Sequence, residues 1–129
     1  MTMPLSQPVL PVVADVVSTA ARVVTLTATV VPPALLLRLV RSLSPDRILL
    51  FGSRARNLAR PASDIDLLLV GAWSMEPAHL LRHARHLVMH SFPRVDLVLC
   101  TPEEITAAQA GHAPFLHSIL ESGVVIYQR

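Results

Sequence analysis

A glycine, a serine and three aspartates carry the chemistry that this sequence offers. Gly52-Ser53 follows a short apolar run, Asp64 and Asp66 come after residues 54 to 63, and Asp96 lies further on in an apolar stretch. Glycine at a strand end lets the backbone approach a ligand closely, and Ser53 is placed to cap a following turn whose free amides attract phosphate. Arg54, Arg56 and Arg60 surround that turn with positive charge. Asp64 and Asp66 are spaced i, i+2, so in a strand both carboxylates leave the same face, with Cα atoms about 6.5 Å apart. Such a pair suits two metal ions held about 3.5–4 Å apart, the spacing used for phosphoryl and nucleotidyl transfer. Asp96 is flanked by Val95 and Leu97-Val98-Leu99. An ionised carboxylate there is costly unless it meets a cation or a partner. Three acids on neighbouring strands repel one another, and Mg²⁺, with its preference for hard oxygen ligands, relieves that cost.

The elements that must position these residues follow from periodicity. Leu35, Leu36, Leu39, Val40 and Leu43 form an apolar stripe away from Arg38 and Arg41, and Pro33 suits a first helical turn. Ser44-Pro45-Asp46 ends that helix, and residues 47–51 read as a short strand stopping at Gly52. A second strand is expected over 65–70, a helix from 77 to about 90, and a third strand over 94–100. Thr101-Pro102-Glu103-Glu104 has capping-box spacing, so a helix starts there and fades before Gly111. A last helix over 114–122 leads to Gly123, where a helix end favours a left-handed residue, and a closing strand spans 124–127. Strands alternating with helices predict an α/β layer fold.

Residues 1–31 differ from the rest and are expected to be an N-terminal extension, with a domain over 32–129. Their only charged residues are Asp15 and Arg22. A secretory signal places basic residues ahead of its apolar stretch, and here Arg22 comes after Pro4, Pro8, Pro11 and Asp15. The charge-free run over 23–37 is broken by Pro32-Pro33 and falls short of the roughly 20 apolar residues of a membrane span. A helix followed by a strand, with Val24, Leu26, Ala28 and Val30 alternating with threonines, is the reading of this leader. Its hydrophobic residues hint at homo- or hetero-oligomeric association.

Composition narrows the remaining classes. The chain has 129 residues, 52% hydrophobic and 16% charged, which suits one domain with a real core. All eleven basic residues are arginine, so lysine Schiff bases and a P-loop lysine are excluded, while arginine recognition of phosphate remains open. The net charge of +2 is too small to imply duplex nucleic-acid binding. A lone Cys100 forms no internal disulfide, and a cytoplasmic setting is the default. His79, His83, His86 and His90 line one helical face opposite Leu80, Ala84, Leu87 and Val88. They are expected to face water or a partner, with metal binding the third use. Trp73, Met75 and Met89 read as packing residues, Tyr127 as an edge or interface residue, and Cys100 as buried and inert.

Gly52-Ser53, residues 54 to 63, then Asp64-Ile65-Asp66 resembles the signature of the minimal nucleotidyltransferases of the DNA polymerase beta superfamily, which runs Gly-Ser, ten residues, Asp-x-Asp. Asp96 falls where that family keeps its third acid, and residues 115–127 look like its final helix and strand. The resemblance covers about residues 33 to 129, and it departs from the family pattern at Asn57, where relatives often have glycine. It implies a small mixed β-sheet flanked by helices. It also implies catalytic and metal-holding roles for Asp64, Asp66 and Asp96, and nucleotide binding by Gly52, Ser53, Arg54 and Arg56. Two Mg²⁺ ions and ATP would be the cofactor and substrate, and Asp96 would help activate the acceptor hydroxyl. Many proteins of this size are similar to antitoxins that transfer AMP to a tyrosine of a HEPN-type toxin. Two alternatives stay open: an antitoxin that only buries its toxin, and small-molecule modification, which would need a partner domain.

Overall fold

The computed structural model describes residues 31–56 and 58–129. The leader reading and the turn at Asn57 therefore lie outside the described residues. Helix α1 (Pro33–Leu43) begins with proline at its first position and ends at Ser44, which adopts the left-handed conformation (φ 46°) and donates its amide to Val40 O at 3.0 Å. It feeds β1 (Arg47–Phe51), a single helical turn α2 (Gly52–Ala55), and β2 (Ile65–Val70). Helix α3 (Pro77–Val88) starts at Glu76, whose carboxylate accepts from the His79 amide at 3.2 Å. Strand β3 (Val95–Cys100) and helix α4 (Pro102–Gln109) follow. The capping box forms as the spacing requires, with Thr101 Oγ1 accepting from Glu104 N and Glu104 Oε1 accepting from Thr101 N. Helix α5 (Pro114–Ser122) and strand β4 (Val124–Gln128) complete the domain.

The four strands form one sheet in the order β3-β2-β1-β4, antiparallel at both neighbours of β1 and parallel between β2 and β3. Side-chain alternation assigns each face its own helices. Ile48, Leu50, Ile65, Leu67 and Leu69 join Leu36, Leu39, Leu80 and Ala84 beneath α1 and α3. Leu49, Leu68, Val70 and Cys100 join Ile105, Ala108, Leu116 and Ile119 beneath α4 and α5. This is the mixed α/β architecture expected from the sequence, with β1 and β2 apolar because both of their faces are covered. Truncating Leu67 or Leu68 to alanine would cost about 2–5 kcal/mol.

Three local expectations change. Gly123 is extended (φ −76°, ψ 159°), not left-handed. Glycine is required there for space, since a Cβ would lie 2.7 Å from Ile119 O and 3.3 Å from Leu50 O. Met75 and Met89 are exposed, whereas Trp73 does pack against the core and donates Nε1–H to Leu43 O at 2.7 Å. Tyr127 sits on edge strand β4 yet is only 1% exposed, so it is a core residue. Among the described residues no helix is long and apolar enough to cross a membrane.

Candidate active site

The site is built where β1 ends and β2 begins. Phe51 is the register partner of Asp66, so the chain leaving β1 passes directly beside that carboxylate. Gly52 turns it with φ +74°, and a Cβ at this position would overlap the Asp66 carboxylate. Glycine is thus required twice, for its backbone angle and for the closeness of Asp66. Ser53 was expected to cap the following turn. Phe51 holds the N-cap position instead and Ser53 lies inside α2, because the turn starts at Gly52 itself. The turn closes through Arg56 N to Gly52 O and Ser53 O (3.3 and 3.2 Å) and Leu58 N to Ser53 O (2.9 Å).

Arg54 is the feature that sequence reasoning placed differently. Expected on a nucleotide, it is 6% exposed and directs its guanidinium at the loop leading into β2. Nη2 donates to Pro61 O (3.0 Å) and Ser63 O (2.6 Å), and Nε to Ser63 O (3.1 Å) and Asp64 O (3.3 Å). A planar fork with several donors suits such a cluster of carbonyls. The turn after β1 and the loop before Asp64 are thereby locked together, so Arg54 positions the acids. The signal available in sequence was an arginine beside a strand end so apolar that its side chain would be covered. Arg56 and Arg60 are exposed at the rim.

The parallel register sets Asp66 opposite Asp96, while Asp64 stands exposed just before β2. The Asp66 carboxyl is pushed above its ordinary value of 3.8, first by burial, then by the charges of Asp96 and Asp64 and a side-chain hydrogen bond with Asp96. Arg54 opposes this in part. Asp96 itself is 41% exposed and accepts from Arg94 Nη2 at 3.0 Å. Arg94 stands just before β3, two residues ahead of Asp96 and within reach of its carboxylate.

Asp64, Asp66 and Asp96 therefore reach one end of the sheet, as expected. Among the described residues no three Asp, Glu, His or Cys side chains close around a point tightly enough to enclose an ion by themselves. The donor set still fits a hard divalent cation. Asp66 holds a carboxyl disfavoured in its charged form by like charges, and a cation there reverses the sign of that effect. Magnesium is commonly held by one or two carboxylates with phosphate oxygens and water completing its shell.

The other singled-out residues lie elsewhere. His79, His83, His86 and His90 are exposed on or just beyond α3 and form no metal-holding group. Cys100 is buried at the far end of β3, its thiol pushed up to about 11 by burial and Glu104, which makes it inert.

The sequence matches the model of the nucleotidyltransferase domain over residues 34–126. No curated protein matches it. Among solved structures it is similar to a Sulfolobus solfataricus protein assigned as a nucleotidyltransferase, with a TM-score of 0.53 and 19% identity over 89% of this chain and 88% of that one. At that identity the likeness speaks for the fold, which is polymerase-beta-like. The glycine turn, the acids that meet across β2 and β3 and the family match over most of the chain agree, and the protein belongs to the nucleotidyltransferase domain family.

Proposed function

We propose that this protein is a Mg²⁺-dependent adenylyltransferase that moves AMP from ATP to a tyrosine hydroxyl of a partner HEPN-type toxin, and so acts in the cytoplasm as its antitoxin. The observation that carries the transferase chemistry is the juxtaposition of Gly52, Asp66 and Asp96 at one sheet end. The partner and the acceptor rest on the resemblance to antitoxins of this size.

In this reading the α2 turn, with Gly52 and Ser53, cradles the phosphates, and Arg56 at its rim adds charge. Arg54 keeps the loop before Asp64 in place, although it was expected to touch the nucleotide. Asp64, Asp66 and Asp96 would hold Mg²⁺, which when bound neutralises phosphate charge. Asp96 takes the proton of the acceptor hydroxyl as its oxygen bonds to the α-phosphorus, and the bond to the leaving pyrophosphate breaks. The rest of the rate enhancement comes from positioning and fixed electrostatics.

The test incubates the protein with Mg²⁺, the candidate toxin and ATP labelled at the α- or the γ-phosphate in separate tubes. Label from the α-position should stay on the toxin and vanish with Asp64→Asn. Label from the γ-position would mean a kinase. Tight complex formation with no label would leave an antitoxin that works by binding alone.

A further inference from the structure

Strand β3 is an edge of the sheet, and its outer side carries backbone groups with nothing to bond. Along a strand the N–H and C=O of one residue leave on one side and those of the next on the other. Arg94 O accepts from Ile65 N at 2.8 Å and Cys100 O from Gly71 N at 3.0 Å, so the even-numbered residues of β3 face β2. Val95, Leu97 and Leu99 therefore turn their N–H and C=O groups outward, where among the described residues no strand meets them. Thr101 N–H, next in that series, is already taken by Glu104 Oε1 at 2.8 Å. The other edge is built differently: β4 breaks its register with β1 between Ile48 and Leu49, whereas β3 runs unbroken over all of Val95–Cys100. A flat apolar edge with no bulge, proline or lysine invites another strand. Cavities of about 600, 480 and 360 Å³ lie along it, and their walls together take in every residue from Val95 to Cys100. An exposed apolar side chain stands in the wall of each, Met75, Met89 and Phe115 in turn. Charge changes sign along the same line, with Arg94 at the Val95 end, exposed Arg85 beside Leu97, and Glu104 past Cys100. Asp96 is turned to Asp66 and accepts from one donor of Arg94, whose fork has others for a second carboxylate.

We propose that a second copy of this chain covers this edge, the two β3 strands pairing antiparallel about a twofold axis at Leu97. In this register Leu97 faces Leu97 of the partner copy and Val95 faces Leu99, so every outward N–H and C=O of these residues is matched. A shift of two residues sets Leu99 against Pro93, which has no N–H, or Val95 against the capped Thr101. The first of these also opposes Asp96 to Asp96, a like-charge pair. The antiparallel direction brings each Arg94 to the Glu104 end of the other copy, so the charge pattern of the edge complements itself. The two four-stranded sheets become one. This inference stands apart from the adenylyl-transfer reading and does not depend on it.

The experiment uses the full chain and begins with sedimentation equilibrium over a concentration series. The protein should approach twice its 14.0 kDa chain mass as concentration rises. Leu97→Pro deletes an N–H that points away from β2, so it should leave the circular dichroism of the fold in place and weaken the dimer about tenfold or more. Cross-linking tests the register without relying on that variant. In a Cys100→Ala background, Leu97→Cys should form an intermolecular disulfide under a mild oxidant. Leu99→Cys should not, because the two copies of that position stand about 13 Å apart along the paired strands. A chain that sediments as a monomer at every concentration overturns the proposal, as it would if another segment of the chain covered the edge. A dimer that a folded Leu97→Pro leaves intact overturns it too. Cross-linking at position 99 equal to or above that at position 97 overturns the register and the twofold axis with it.

Discussion

Strands β2 and β3 run side by side with one register, in which Asp66 faces Asp96 at one end and Val70 faces Cys100 at the other. Both ends carry a group whose proton is held more tightly because of burial, and the two outcomes differ in kind. At the far end Cys100 sits among apolar side chains, and Glu104 adds a further push that Arg47 offsets in part. A thiol held up to about 11 stays protonated and unreactive at neutral pH. At the near end burial is joined by two other carboxylates and by a glycine turn pressed against the same side chain. Burial, helped by one carboxylate, quiets the thiol. Like charges brought together beside a glycine turn favour a cation between them, and the proposed function places its chemistry at that end of the strand pair.

The strongest way to break this comparison is Asp66→Asn, which should lower transfer by roughly 10²–10⁴-fold. Because it also removes repulsion with Asp64 and Asp96, the melting temperature should hold or rise. Retained Mg²⁺-dependent turnover would show that the acids at this end do no chemistry. Gly52→Ala should cost about 2 kcal/mol or more, since its backbone angle and the Asp66 carboxylate both oppose a side chain, and transfer should fall with it. Denaturant unfolding checks the first effect. Arg54→Met should cost about 1–3 kcal/mol by leaving the part-buried carbonyls of Pro61, Ser63 and Asp64 without these donors. Its signature would be faster proteolysis within residues 58–64.

A pH series sharpens the contrast between the two ends. A carboxyl whose folded pKa is raised holds its proton where the unfolded chain has already lost it, so the folded state is favoured below the ordinary value and that advantage fades as pH rises. Metal-free protein should therefore lose stability as pH rises from 3.8 through the raised value of Asp66. Urea unfolding across this window should show the decline in the native sequence and a flatter profile in Asp66→Asn. Cys100→Ala gives the smallest expected effect, about 1 kcal/mol of stability and no change in transfer. A loss of activity there would erase the distinction between the two ends.

Much of the fold was legible because the signals were local. The stripe Leu35, Leu36, Leu39, Val40 and Leu43, the Thr101–Glu104 capping box and the short apolar runs at 47–51 and 65–70 each need only near neighbours to act. Expectations changed where a distant part of the chain intervened. Gly123 is required by the Ile119 carbonyl of the helix before it, with Leu50 of β1 close on the other side, and Ser53 does not cap because the turn tightens one residue earlier against Asp66. Met89, at the end of α3, lies at the surface because that helix turns its Leu80, Ala84 and Val88 side inward, and Met75 stands exposed in the loop ahead of it.

By itself the sequence determined the kinds of groups available, the strands on which Asp66 and Asp96 sit, and the glycine–serine to aspartate spacing that resembles the family signature, because these depend on residue identity and periods of 2 and 3.6. The tertiary structure alone decided that β2 pairs with β3 in a register that sets Asp66 against Asp96, that Arg54 turns inward to hold the loop before Asp64, and that β3 stands at the edge of the sheet. Parallel pairing joins strands separated by a whole helix, and its register is set by how both faces of the sheet are packed, which no local window of residues contains.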